Sequence, residues 1–229
     1  MKKSIPVANQ AFVWDFHGTL GINNEKAVVE ITNIILSQNS YKERLGLEKC
    51  IELYGCKWID LIKAVIPNEP YNIHANIAKK CIKYSLLNPD ITRKYIEQSP
   101  MARHVLEVIS YQKYDQILIS NTQPQAMPMF LEATGLKGIF HEKMILTVDS
   151  LEYDPASTKK SVLSEFFRHK HYERLVVIGD TQEDIDLGNE FHGVTYLFRH
   201  PDLPKIKTDA DYHIDNLVMV LREVIPKDL

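Results

Sequence analysis

Leu175-Val176-Val177-Ile178, followed by Gly179-Asp180, is the stretch that decides the fold. Four apolar residues without polar alternation suit a strand buried on both faces, as in a parallel sheet covered by helices. Phe12-Val13-Trp14, running into Asp15-Phe16-His17-Gly18-Thr19, repeats the pattern near the start of the chain. Working outward, five β-rich runs stand at residues 11–15, 116–121, 143–148, 174–180 and 195–198, each followed by turn residues and a helical period. Residues 212–214 read as a short sixth strand.

Start and stop signals place the helices between these strands. Ser99 reads as an N-cap with Pro100 at the first helical position, followed by an apolar face of Val105, Leu106 and Ile109. A second helix runs from about 126 to Gly135, which is placed to end it in a left-handed conformation. Val162, Leu163, Phe166 and Phe167 stripe a third, and Leu217, Leu221, Val224 and Ile225 stripe the last. Residues 23–98 break the alternation. Helical stripes such as Ala27/Val28, Ile31 and Ile34/Ile35 follow one another there without a strand, and Pro67, Pro70 and Pro89 divide the stretch into four or five helices.

Composition excludes several classes of protein. With 45% hydrophobic and 25% charged residues over 229 positions, the chain can bury a core and is neither disordered nor collagen-like. Thirty acidic against 27 basic residues, a formal net charge of −3, give no footprint for nucleic acid. Cys50, Cys56 and Cys81 lack paired spacing, so neither a disulfide framework nor a zinc site is expected, and a reducing cytoplasm fits. All three read as buried apolar groups. No apolar run reaches membrane length, and the residues after Met1-Lys2-Lys3 are not a signal-like apolar segment.

In an open parallel sheet, ligands bind beyond the carboxyl ends of the strands. Asp15 to Thr19, Ser120-Asn121, and Gly179-Asp180 with Asp184 all leave strands at such ends. Lys159 lies at the start of the Val162/Phe166 helix, where backbone N–H groups favour an anion. Two strand-end carboxylates suit a hard divalent cation, and a hydroxyl with a lysine suits a phosphate.

These residues, in this order, resemble the haloacid dehalogenase-like (HAD) phosphohydrolases. Asp15-Phe16-His17-Gly18-Thr19 is similar to the family's Asp-x-Asp-x-Thr, Ile117-Leu118-Ile119-Ser120 to its second motif, Lys159 to its third, and Gly179-Asp180-Thr181-Gln182-Glu183-Asp184 to its fourth. The resemblance spans nearly the whole chain. It implies an α/β fold, a Rossmann-like doubly wound parallel sheet core of residues 1–22 and 99–229, with an inserted α-helical cap subdomain at 23–98. It further implies Mg²⁺ held by Asp15, Asp180 and Asp184, with His17 contributing through its backbone carbonyl. Asp15 would be the nucleophile, and Ser120 and Lys159 would hold phosphoryl oxygens. Gly18, Thr19 and Asn121 would shape the phosphate loop, and the substrate would be a small phosphorylated metabolite.

His17 departs from the family pattern, which has a second aspartate there as general acid and base. An imidazole with an ordinary pKa of about 6.5 is a sensible substitute. Its bulk also leaves open a phosphate-binding or regulatory protein with impaired turnover, and a phosphotransferase or C–X hydrolase stands as a third reading. Lys160 adjoins Lys159 and could take its place. In Tyr54-Gly55-Cys56-Lys57-Trp58, Lys57 and Trp58 could meet the substrate, or Trp58 could be cap core with Lys57 in solvent. Oligomeric state leaves no mark in the sequence.

Overall fold

A computed structural model describes residues 9–148, 157–200 and 206–224. The chain enters through β1 (Gln10–Asp15) and β2 (Gly21–Ile22), then passes through α1 (Asn24–Gln38), α2 (Leu47–Glu52), α3 (Trp58–Val65), α4 (Tyr71–Leu87) and α5 (Pro89–Tyr95) before β3 (Glu97–Gln98). Strand and helix then alternate: α6 (Ala102–Tyr111), β4 (Asp115–Ser120), α7 (Met127–Ala133), β5 (Ile145–Thr147), α8 (Lys159–Phe167), β6 (Arg174–Gly179), α9 (Gln182–Glu190), β7 (Val194–Phe198) and β8 (Tyr212–Ile214).

Six strands form one sheet in the order β5-β4-β1-β6-β7-β8, every pair parallel. Phe12, Trp14, Leu118, Val176, Ile178 and Tyr196 pack on one face with α6 and α7. Val13, Ile117, Ile119 and Val177 pack on the other with Leu163 of α8 and Leu187 of α9. Both faces are covered, which is why the strands show no polar alternation. β1 lies between β4 and β6, so the chain builds outward to both sides of it and leaves a crevice beyond its carboxyl end.

The helices α1 to α5 follow one another as the sequence predicts, but the segment does not lack strands. Gly21–Ile22 pairs antiparallel with Glu97–Gln98, and the Ser99 N–H donates to Leu20 O at 2.9 Å. This ribbon ties the two ends of the five-helix segment together at the sheet. The helices hold two apolar clusters of their own, one around Ile31, Ile59 and Ile77, the other around Leu45, Cys50 and Leu61.

Four local expectations are corrected. Ser99 is not an N-cap: its carbonyl accepts from Ala102 in a turn, and Met101, at φ 63°, precedes the helix. Residues 143 and 144 belong to a 3₁₀ turn, Glu142–Met144, held by the His141 side chain, and the strand begins at Ile145. Leu217–Glu223 is 3₁₀ rather than α, with Leu217 and Val220 buried; Ile225 lies outside the described residues. Cys56 is exposed, although Cys50 and Cys81 are buried. Gly135, at φ 68°, follows α7 in the left-handed conformation expected of it.

Candidate active site

β1 delivers Asp15 to the carboxyl edge of the sheet, with β4 delivering Ser120 on one side and β6 delivering Asp180 on the other. The turn after β1 is tight. Phe16 O accepts from Leu20 and Gly21 at 2.9 and 2.8 Å, and the Gly18 N–H donates to Gly21 O at 2.7 Å. Gly18 sits at φ 88°, and a Cβ there would come within 2.1 Å of Asp180 Oδ2, so both the conformation and the space require glycine. Thr19 is buried and donates to Asp180 Oδ1 at 3.2 Å.

The spacing of the fourth motif has a local cause. Asp184 is the third residue of α9, and its Oδ2 accepts from the Thr181 N–H and hydroxyl at 3.1 and 2.6 Å. That capping arrangement turns the carboxylate back towards the strand end. A Cβ on Gly179 would lie 2.2 Å from Asp184 Cβ, so glycine there is what lets Asp184 reach inward.

Lys159, the first residue of α8 behind its Thr158 cap, is only 3% exposed. Its ammonium donates to Asp15 Oδ1 at 2.6 Å and Asp184 Oδ1 at 2.7 Å. Lys160 instead pairs with Glu190 at 2.8 Å on the surface. The structure therefore brings Lys159, and not Lys160, to the carboxylates.

One oxygen from each of Asp15, Asp180 and Asp184 lies within 4.8 Å of the others. Burial raises Asp15 from the ordinary carboxylate range to about 7; Lys159 opposes the shift and Asp184 adds to it. Asp180 is raised well above that range by burial and by the other two carboxylates, and its Oδ2 has no hydrogen-bond partner. Burial opposes charge on Lys159, but Asp15 and Asp184 outweigh it and hold the ammonium firmly cationic.

His17 is not drawn into that group. Its Nε2 stands 2.9 Å from Thr122 Oγ1, and its ring meets the Phe130 ring edge-on at 4.6 Å between centroids. Thr122 Oγ1 in turn stands 3.0 Å from Ser120 Oγ. The imidazole thus faces β4 and α7 rather than the carboxylates. Nor does the ordinary pKa persist: burial, aided by Lys159, lowers His17 to about 3, so the ring is neutral.

Asn121 donates from its side chain to Glu183 Oε2 at 3.0 Å, at the edge of the site. Lys57 precedes α3 and lines the cavity above Asp15, as does Trp58. Trp58 also packs in the helical clusters and donates from Nε1 to Thr32 Oγ1 at 2.9 Å. Two neighbours escaped sequence reasoning. Thr122 lies two residues beyond Ser120, a spacing that could have suggested it. Tyr54 stands in the sequence only as the first residue of the 54–58 segment, with no role of its own; its hydroxyl lies 2.8 Å from the position a Gly18 Cβ would take, and burial with Asp180 and Asp15 raises its pKa well above the phenol range.

The haloacid dehalogenase-like hydrolase family model matches residues 12–196. No curated protein matches the chain by sequence. Among solved structures, it is similar to a predicted phosphoglycolate phosphatase from Haemophilus somnus 129pt, with 14% identity, TM-score 0.75, and coverage of 94% of this chain and 97% of that one. It is also similar to a predicted phosphatase from Clostridium acetobutylicum, with 13% identity, TM-score 0.74, and coverage of 95% and 98%. A hydrolase from Deinococcus radiodurans R1 with bound phosphate and sodium shares 15% identity, with TM-score 0.63 and coverage of 93% and 94%. At these identities the structural likenesses speak for the fold.

Proposed function

This chain belongs to the haloacid dehalogenase-like hydrolases, and from that premise we propose that it is a Mg²⁺-dependent phosphohydrolase acting on a small phosphorylated metabolite. One observation supports the reading above all: three buried carboxylates converge with the Lys159 ammonium at a cavity that Ser120 also lines. Residues 23–98 serve as a cap over a core of residues 1–22 and 99–229.

The residues fit a hard cation. Buried carboxylates with raised pKa values and an Asp180 oxygen without a partner are what a missing positive charge leaves behind. Asp15, Asp180 and Asp184 would hold Mg²⁺, with the His17 backbone carbonyl a further candidate. Bound there, the ion would neutralise carboxylate and phosphoryl charge.

In this reading a carboxylate oxygen of Asp15 attacks phosphorus, the P–O bond to the leaving group breaks, an aspartyl-phosphate forms, and the departing oxygen takes a proton from solvent water to leave as the alcohol. Water then attacks that phosphorus, and Asp15 and inorganic phosphate separate. Lys159 and Ser120 offset the charge on the phosphoryl oxygens. Gly18, Thr19 and Asn121 shape the pocket, and Lys57 meets the substrate from the cap. His17, the candidate general acid and base, starts neutral; its lowered pKa makes it a weak base, whose task would be to take water's proton in the second step at Nδ1, a buried atom without a partner among the described residues. With that tautomer Nε2–H donates to Thr122, which donates to Ser120, leaving the serine hydroxyl to donate to substrate.

The same neutrality favours one alternative, a phosphate-binding protein with impaired turnover, because a neutral imidazole has little acid to offer the leaving alcohol. Mg²⁺-dependent phosphate release from an aryl phosphate, abolished in Asp15→Asn, is the expected result. Binding of phosphate without release would favour the alternative, and halide release from a haloacid would favour C–X cleavage. A cytoplasmic setting belongs to the reading, supported by the three free thiols. Among the described residues, no helix is long and apolar enough to cross a membrane.

A further inference from the structure

The cavity above Asp15 extends well beyond the space a phosphoryl group needs. Its volume is about 850 Å³, towards the upper end of the roughly 300–1,000 Å³ typical of small-molecule pockets. The end at the sheet is polar, with Asp15, Ser120, Asn121 and Lys159 lining it. Phe130 marks the change of character beside His17.

From there the cavity runs up among the five helices, where Val28, Ile31, Leu53, Ile59, Leu61 and Ala78 line it. All six belong to, or pack against, the two apolar clusters of that segment. Trp58 touches both clusters, and because its indole N–H is already given to Thr32 it offers the cavity a ring surface rather than a donor. Asn76 and Lys79 also line the cavity but are exposed. Asn24, Glu25, Lys57, Tyr71, Ser85 and Thr92 line it as well. Along the apolar stretch, however, a hydroxyl-rich leaving group would lose water against hydrocarbon, whereas an apolar one would gain by burial.

We propose that the substrate is a phosphate monoester whose alcohol has a bulky apolar body, seated among α1, α3 and α4 while its phosphate meets Asp15 and Lys159. This deepens the phosphohydrolase reading and rests on it. The apolar seat narrows the substrate class from phosphorylated metabolites in general to those with a hydrocarbon-rich leaving group.

The test uses the whole protein with Mg²⁺ and a series of n-alkyl phosphates from ethyl to decyl, whose leaving-group chemistry is nearly constant, beside sugar phosphates. kcat/KM should climb by up to about fourfold per methylene until the cavity fills, and the longer esters should surpass the sugar phosphates. Hydrolysis without such a climb, or with sugar phosphates preferred, overturns the inference and leaves the phosphohydrolase reading standing. No hydrolysis of any ester counts against that reading instead. Calorimetric titration with n-alkylphosphonates then decides the apolar seat: affinity rising along the series, with an increasingly negative heat-capacity change, upholds it, and flat affinity overturns it.

Discussion

Nε2 of His17 stands 2.9 Å from Oγ1 of Thr122, and the same threonine oxygen stands 3.0 Å from Oγ of Ser120. The hydroxyl therefore orients the imidazole and the serine together. Thr122→Val keeps the shape and deletes both bonds. At roughly 1 kcal/mol for each of the two bonds, kcat should fall by up to about 30-fold, with KM little changed in steady-state assays. His17→Ala should cost roughly 100-fold or more in kcat, while binding of a phosphate analogue persists. Full activity in His17→Ala would remove its assigned role.

The two adjacent lysines should behave very differently. Lys159→Ala leaves Asp15 and Asp184 buried without their cation, a change expected to destabilise the metal-free protein by about 3–5 kcal/mol. Lys160→Ala breaks an exposed pair with Glu190 and should lie within about 0.5 kcal/mol of wild type. Denaturant unfolding without metal measures both. Added Mg²⁺ should then recover part of the Lys159→Ala loss, because its charge can stand beside the same carboxylates.

Gly18→Ala tests the turn that brings Asp180 into place. The new methyl would occupy the space of Asp180 Oδ2 in a backbone conformation that an L-residue resists. Thermal melts should show Mg²⁺ raising the Tm of wild type and raising that of Gly18→Ala markedly less. An equal Mg²⁺ response would mean that Asp180 does not depend on this turn.

Thiol labelling reports on the cavity mouth. Cys50 and Cys81 are pushed up to about 12 by burial, so at mildly alkaline pH they should react slowly. Cys56 is exposed and lines the cavity. It should account for the fast phase, read by mass spectrometry of the labelled peptides. A phosphonate seated in the cavity should slow that phase alone.

The sheet was legible because burial on both faces removes polar alternation, as in Leu175 to Ile178, and because three such runs lead into Asp15, Ser120 and Asp180. Lys159 was legible as a helix start, although only its burial separates it from Lys160. Less could be read where the decisive contact is remote in sequence or where two periods fit the same residues. Leu217, Val220 and Val224, spaced by three and four, suit an α-helix and a 3₁₀ turn alike. Met101 adopts a left-handed conformation that its side chain does not announce. Tyr54 reaches Gly18 because the α2–α3 turn folds down onto the sheet, and His17 loses its ordinary pKa because burial, to which the distant Phe130 contributes, and the Lys159 charge disfavour its protonated form.

The central claim is that Asp15 becomes phosphorylated. It is tested most directly by quenching the protein in acid during turnover of an alkyl or aryl phosphate, reducing with borohydride, and mapping the modified peptide by mass spectrometry. The account predicts a reduced side chain at residue 15, dependent on Mg²⁺ and absent from Asp15→Asn. Phosphate release at full rate with residue 15 unmodified, or with the modification on another side chain, would contradict it.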